Sequence, residues 1–175
     1  MKKNFKIIKA NLSHLDKFYK LFQKTLRQSY FLYPPNSSDF IIEQDMTKGN
    51  IKRGLEEKSY VLYLGISDSR VVGYLLARKI NGGVAFAHWL GVAKDFQNKG
   101  VASNLLAFWE KEAFAQGSHK LQLWTTENNI KFYKNRGFTL GGEFPDAWYG
   151  VDHFLFYKTL RKSNEKNFLK EYLES

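Results

Sequence analysis

The chain contains no cysteine, and this absence removes several kinds of protein from consideration. Without a thiol in 175 residues there is no disulfide framework, no thiolate metal site and no cysteine nucleophile. No uncharged apolar run is long enough to span a membrane, and Met1-Lys2-Lys3-Asn4-Phe5 lacks the apolar core of a signal peptide. His14, His119 and His153 show no metal-ligand clustering. We therefore expect a cytoplasmic protein that neither enters a membrane nor binds a metal.

Apolar residues and positive charge are what the chain does contain. Hydrophobic residues make up 43% of it, enough for a core, and 175 residues is the size of one domain. The net charge of +10 would attract nucleic acid, acidic membrane or a phosphorylated cofactor. The lysines are spread along the chain, as on a solvated surface, and no nucleic-acid module is recognisable. A nucleic-acid-binding domain is therefore the least favoured interpretation.

Hydrophobic periodicity predicts a mixed order of strands and helices. A first strand at 5–10 precedes a helix that follows Ser13, and a second helical region spans about 38–56 with an interruption at Gly49-Asn50. The remaining pattern begins with a three-strand meander at 59–66, 71–80 and 84–92, followed by a helix from Gly100. A strand at 119–124, a short helix at 129–135 and two last strands at 138–140 and 151–158 complete it. This order favours an α+β fold with a mixed sheet, in one domain over 1–160 followed by a helical tail at 161–175.

The most specific segment is the one that leads into the helix at Gly100. Gln97-Asn98-Lys99-Gly100-Val101-Ala102 follows the strand at 84–92 and opens a helix directly. A helix N-terminus presents unpaired N–H groups and partial positive charge, so this junction suits a pyrophosphate, with Gly100 and Ala102 small enough for close approach and Lys99 near the anion. Dinucleotide and P-loop NTPase motifs are absent from the sequence.

Two signatures together resemble a known family. Gln97-x-x-Gly100-x-Ala102 resembles the Gln/Arg-x-x-Gly-x-Gly/Ala signature of the GCN5-related N-acetyltransferase (GNAT) family. About 30 residues later, the segment from Asn129-Ile130 through Phe132-Tyr133 to Gly137-Phe138 is similar to the family's second signature. The resemblance is close over about 84–160. It implies a central, twisted, mostly antiparallel sheet of about six or seven strands with a splayed middle pair, flanked by about four helices plus a C-terminal helix.

The resemblance also implies a ligand and the residues that bind it. The ligand is acetyl-CoA as cosubstrate, and the implied contacts are Leu90, Gly91, Val92, Gln97, Asn98, Lys99, Gly100, Val101, Ala102 and Asn129. Backbone groups at Leu90 to Val92 would polarise the thioester carbonyl, and Tyr133 would be the acid at the thiol. We expect Phe132 to face the core and Tyr133 to face the cleft. Asn129 either contacts the ligand or caps the short helix.

The general base is left open by the sequence. Many relatives place a glutamate on the fourth strand, where this chain has Phe86. His88 lies two residues on and matches a position where arylalkylamine acetyltransferases carry a catalytic histidine. It is either that base or a structural histidine, and a water chain is the third possibility.

The acceptor cleft is expected at two aromatic segments, Ser29–Tyr33 and Pro145–Gly150. Phe31, Trp148 and Tyr149 are the candidate substrate contacts, and Asp146 is the candidate partner of an ammonium group. Alternatively, these rings only cap the core. The acceptor is expected to be an amine of a small molecule or peptide.

Two functions remain after this reasoning. The first is an acetyl-CoA-dependent N-acetyltransferase in which the amine attacks directly in a ternary complex. The alternative is a non-catalytic acyl-CoA-binding or regulatory protein of the same fold, which Phe86 favours. The tail has Phe168, Leu169, Tyr172 and Leu173 on one stripe. This stripe packs either on its own domain or on a second subunit, which would make a homodimer.

Overall fold

A computed structural model describes residues 4–29 and 33–174, and a seven-stranded sheet forms its centre. The strands are β1 (Lys6–Lys9), β2 (Tyr60–Ser67), β3 (Arg70–Arg78), β4 (Val84–Val92), β5 (Lys120–Thr125), β6 (Thr139–Phe144) and β7 (His153–Thr159). Their order in the sheet is β1-β2-β3-β4-β5-β7-β6. Every neighbouring pair is antiparallel except β4 and β5, which are parallel. The predicted mixed α+β fold with a mostly antiparallel sheet is therefore confirmed.

Helices cover both faces of the sheet. They are α1 (Leu15–Ser29), α2 (Pro35–Phe40), α3 (Lys48–Glu56), α4 (Val101–Ala115), α5 (Ile130–Lys134), α6 (Glu165–Phe168) and α7 (Lys170–Leu173), with a π-helical turn at Ile41–Asp45. The first face packs α1 against β3, where Phe18 and Phe22 meet the fully buried ring of Tyr74 at 5.2 and 5.8 Å. The opposite face is covered by α4 through buried Leu105, Leu106 and Trp109. Burial of these apolar stripes is the main source of stability.

The second helical region differs from its prediction at both its start and its interruption. Helix α2 begins at Pro35 rather than near residue 38, because proline suits the first helical position, where no N–H is needed. The break falls at Met46-Thr47, and α3 runs through Gly49-Asn50 without interruption. Met46 follows the end of the preceding π-helical turn, and Thr47 caps α3, since its Oγ1 accepts a hydrogen bond of 3.0 Å from the backbone N–H of Asn50.

The C-terminal tail packs on its own domain. It forms two short helices, α6 and α7, instead of the one predicted. Phe168 lies 5.8 Å from the ring of His119, and the backbone of Asn167 is so close to Gly117 that a Cβ there would lie 2.2 Å from its carbonyl oxygen. Arg161 donates to the carbonyl of Ser118 and so fixes the start of the tail. These contacts account for Phe168 without a second subunit, and the homodimer stays a prediction. Tyr172 belongs to the predicted apolar stripe of the tail, but its side chain lies outside the part of the chain that the structure describes.

Within residues 4–29 and 33–174, no helix is both long enough and apolar enough to cross a membrane.

Candidate active site

The two middle strands of the sheet separate from each other. Strands β4 and β5 pair only from Val84 to Ala87 on one side and from Lys120 to Leu123 on the other. Beyond these positions β4 stays on β3 as far as Val92, while β5 stays on β7 as far as Thr125. The splayed middle pair predicted from the family resemblance is therefore confirmed, and it opens a cleft in the sheet.

A β-bulge at His88 coincides with the point of separation. Leu76 of β3 pairs with Trp89, but the next residue, Ala77, pairs with Ala87. His88 is thus the extra residue of β4. A bulge bends its strand and increases the local twist, which turns β4 away from β5. The sequence pattern does not reveal this bulge, because an extra residue is defined only by the register of the neighbouring strand.

The loop between β4 and α4 forms the helix N-terminus that the sequence predicted. After a 3₁₀ turn at Lys94–Phe96, the backbone is left-handed at Asn98 (φ 57°) and Gly100 (φ 86°). Gly100 is needed for its positive φ, which β-carbon-bearing residues rarely adopt. No side chain of the described residues caps the first turn of α4, so its N–H groups are available to an anion.

Two side chains of this loop contact the protein itself. The Lys99 ammonium turns back to donate to the carbonyl of Asp95 at 2.5 Å, so it does not extend over the start of α4. Val101 is buried, and a Cβ on Gly73 would lie 2.5 Å from its Cγ1. Val101 therefore anchors the first turn of α4 to the sheet, and only its backbone N–H is available to a ligand.

Arg136 joins α4 to α5, and the sequence reasoning missed it. Its Nε donates to Ser103 Oγ at 3.0 Å, its Nη1 donates to the carbonyl of Phe132 at 2.8 Å, and its guanidinium lies 3.6 Å above the Phe132 ring. A positive charge is thus fixed beside the first turn of α4. The sequence indicated Arg136 only by its place within the second signature, at a position that the signature leaves open to any residue type.

A cavity of about 1040 Å³ extends from this loop across the cleft. Most of the sequence-predicted site residues line it, namely His88, Leu90, Gly91, Val92, Gln97, Asn129, Tyr133, Trp148 and Tyr149. The predicted loop residues that do not line it are Asn98, Lys99, Gly100, Val101 and Ala102. Phe31 lies outside the described residues. The cavity brings the end of the loop, the open part of β4 and the aromatic segment together.

Tyr133 lies in the core, contrary to the expectation that Phe132 would take that place. Its side chain is only 7% exposed and packs against Phe138 and Phe156 at 5.7 and 5.8 Å. Phe132 is half-buried beneath the Arg136 guanidinium, which covers the ring that was expected inside. Tyr133 nevertheless lines the cavity, and its hydroxyl has no hydrogen-bond partner in the described part of the chain. Burial raises the pKa of Tyr133 far above its ordinary value, so the hydroxyl stays protonated.

Asn129 does not cap the short helix. Its side chain makes no capping hydrogen bond to α5, is exposed and lines the cavity. The neighbouring Asn128, which the sequence reasoning did not select, lines the cavity as well. The amides of both residues are therefore placed to contact a ligand in the cleft.

His88 is surrounded by rings and is a weaker base than the sequence suggested. Its ring lies 6.0 Å from that of Tyr60 and 5.8 Å from that of Phe86, and its Nδ1 is buried without a partner in the described residues. Burial, aided by the charge of Arg78, lowers the pKa of His88 to about 4. At neutral pH the imidazole is therefore uncharged, but its affinity for a proton is low.

This shift predicts that folding stability depends on His88 in acid. Because the folded-state pKa of about 4 lies below the ordinary value of 6.5, the unfolded chain binds more protons between these pH values. The free energy of unfolding should thus fall as pH drops through this window, by up to roughly 3 kcal/mol from this group. Urea unfolding of the wild type and His88→Gln across the window measures the effect. The variant should lose less stability, and parallel curves for the two proteins would contradict the assignment.

The end of the cavity at the segment from Pro145 to Gly150, where the sequence predicts the acceptor, is lined by aromatic rings. Trp148 is 49% exposed and lies 5.5 Å from Trp124 and 5.1 Å from His153. The carbonyl of Val151 can only accept, so the Nδ1 of His153, 2.8 Å away, carries the proton. The Nε2 then accepts a hydrogen bond of 3.0 Å from the hydroxyl of Tyr33. This network orders the wall of the cavity.

The carboxylate at this end is Asp45 and not Asp146. Asp146 does not line the cavity, and its backbone N–H is held at 2.8 Å by the side chain of Asp152. Asp45 closes the π-helical turn, lines the cavity and lies close enough to Tyr149 to raise the pKa of that hydroxyl, after the larger effect of burial. Sequence reasoning missed Asp45 because the π-helical turn that directs it was not predicted.

Comparison with known proteins identifies the family. Residues 15–138, more than half of the chain, match the sequence model of the Acetyltransferase (GNAT) family. The protein therefore belongs to the GNAT acetyltransferases. No protein of curated function matches the chain by sequence.

Solved structures of acetyltransferases share the fold. The PaiA N-acetyltransferase of Thermoplasma acidophilum, solved in complex with coenzyme A, is 18% identical with a TM-score of 0.75, over 89% of this chain and 99% of that one. A probable acetyltransferase of Staphylococcus epidermidis is 16% identical with a TM-score of 0.75, over 90% and 99%. Ard1 of Thermoplasma volcanium is 18% identical with a TM-score of 0.69, over 90% and 99%. At such identities the likeness establishes the fold alone.

Proposed function

We propose that this protein is an acetyl-CoA-dependent N-acetyltransferase that acetylates a primary amine of a small molecule or peptide. The observation that carries the proposal is the single cavity in which the end of the loop at Gln97, the open part of β4 and Tyr133 meet an aromatic acceptor end. The coenzyme A bound to the structural relative from Thermoplasma acidophilum is consistent with this choice of cosubstrate.

The chain offers groups that fit each part of coenzyme A. The uncapped first turn of α4 suits the pyrophosphate, with the Arg136 guanidinium nearby for added positive charge. The opening between β4 and β5 suits the extended pantetheine arm, whose amides can bond with strand backbone and with Asn129. The Tyr133 hydroxyl, without a partner in the described chain, suits the sulfur.

These groups support the following path for acyl transfer. Backbone N–H groups at Leu90 to Val92 polarise the thioester carbonyl, and the acceptor nitrogen attacks its carbon. As the carbon–sulfur bond breaks, Tyr133 donates a hydrogen bond or its proton to the departing thiolate. The proton of the attacking amine passes to water or to His88. The low pKa of His88 makes a water path the more effective of the two.

The second candidate is a non-catalytic acyl-CoA-binding protein, favoured by Phe86 and by the low pKa of His88. The two functions are separated by incubating the protein with acetyl-CoA and a broad panel of amines, then measuring free thiol and acetylated product. The proposal predicts release of coenzyme A that depends on the amine. Tight binding of acetyl-CoA with no consumption across the panel would establish the binding function instead.

A further inference from the structure

Arg78 is distinguished from the other arginines because its N–H groups have no acceptor in the part of the chain that the structure describes. The chain has six arginines, and five of them donate hydrogen bonds to side-chain or backbone oxygens of the described residues: Arg27, Arg53, Arg70, Arg136 and Arg161. Arg78 makes no hydrogen bond or ion pair within residues 4–29 and 33–174. A guanidinium has five N–H donors, which favour planar anions with two oxygens.

Two rings hold this guanidinium at the wall of the cavity. Arg78 ends β3, and its guanidinium carbon lies 6.0 Å from the ring centres of both Tyr60 and Phe86. The same two rings flank His88, at 6.0 and 5.8 Å. Arg78 and His88 are therefore neighbours of one aromatic pair, close enough for a single small molecule to reach both.

The charges around the cavity favour an anion at this position. Lys79, the next residue, also lines the cavity, whereas Asp45 is the one carboxylate in the lining among the residues described, and it lies beside Tyr149. A cationic polyamine would meet repulsion from two positive groups at Arg78 and Lys79. A carboxylate would pair bidentately with the guanidinium of Arg78, which is exposed and so accessible to a ligand in the cavity.

We propose that Arg78 binds a carboxylate of the acceptor, so that the acceptor is an amino acid or another amine that carries a carboxylate. This inference rests on the proposed function and names its substrate class. The amine would lie near His88 and the open part of β4, and the carboxylate would lie on Arg78.

Acceptors that differ only in the carboxylate test the proposed carboxylate subsite at Arg78. Phenylalanine, glutamate, lysine and 6-aminohexanoate are each compared with their amide and with the amine that lacks the carboxylate, at constant ionic strength. For at least one set, kcat/KM for the acid should exceed that of both analogues by about 10-fold or more. In Arg78→Gln that preference should disappear through a higher KM for the acid, with no matching rise in KM for acetyl-CoA. Arg78→Lys should retain part of the preference.

Arg53→Gln is the control, because Arg53 donates to Asn50 on α3 and does not line the cavity. It should leave the preference unchanged. Acids and amides used equally well, or an Arg78→Gln variant that slows all acceptors alike, would overturn the subsite and leave the proposed function standing. Absence of turnover with every amine would be a failure of the proposed function itself.

Discussion

Replacing Tyr133 with phenylalanine is expected to lower kcat by about 100-fold or more and to leave the affinity for acetyl-CoA unchanged. The substitution removes one oxygen and retains the ring that packs against Phe138 and Phe156. Because the hydroxyl has no partner in the described chain, its removal leaves no buried group unsatisfied. The loss should therefore fall on the departure of the thiolate. Steady-state kinetics together with calorimetric titration of acetyl-CoA measure the two quantities separately.

Tyr63→Phe is the matched control for this variant. Tyr63 is also a buried tyrosine, and burial, with a smaller contribution from Glu112, raises its pKa to about 12. It does not line the cavity that holds Tyr133. The control should keep the wild-type kcat. A Tyr133→Phe variant with unchanged kcat would show that this hydroxyl is not the acid at the thiol, and weakened binding would assign it to ligand affinity instead.

Placing a carboxylate at the start of α4 should abolish most of the affinity for coenzyme A. Ala102 is the second residue of α4, in the first turn, whose N–H groups lack a side-chain cap. A glutamate there suits the helix dipole, so Ala102→Glu should fold normally. The same charge would repel a bound pyrophosphate and compete for its N–H donors, for an expected loss of about 100-fold in Kd. Titration calorimetry with coenzyme A gives the value.

Ala107→Glu supplies the comparison, with the identical change on an exposed position of the same helix. It alters the net charge equally but lies beyond the first turn. Its affinity for coenzyme A should stay within about 3-fold of the wild type, because exposed charges outside the first turn interact weakly. Equal losses in the two variants would mean that net charge, and not the start of α4, governs binding.

The features that were predictable from sequence depend on local pattern and backbone. The loop at Gln97 to Ala102 was recognisable because its conformation requires a small set of residues, above all Gly100 at φ 86°. The order of strands and helices followed from hydrophobic periodicity, and the separation of β4 from β5 followed from the family resemblance.

The features that escaped prediction depend on contacts between distant segments. Phe132 and Tyr133 are adjacent, and which of them is buried depends on Arg136 covering one ring and on Phe156 receiving the other. The low pKa of His88 is caused by burial and, to a smaller extent, by the charge of Arg78, neither of which periodicity describes. Arg78 itself ends a strand and gives no sequence signal, since its proposed role depends on the absence of an acceptor among the described residues.

The most direct test of the central claim is a thermal-shift titration with acetyl-CoA, coenzyme A and NAD. Ligand that binds the native state raises the melting temperature by mass action, by about 5–10 °C for a domain of this size at roughly 100 times Kd. We predict shifts of this order with acetyl-CoA and coenzyme A, and none with NAD. A shift with NAD and none with either form of coenzyme A would contradict the account.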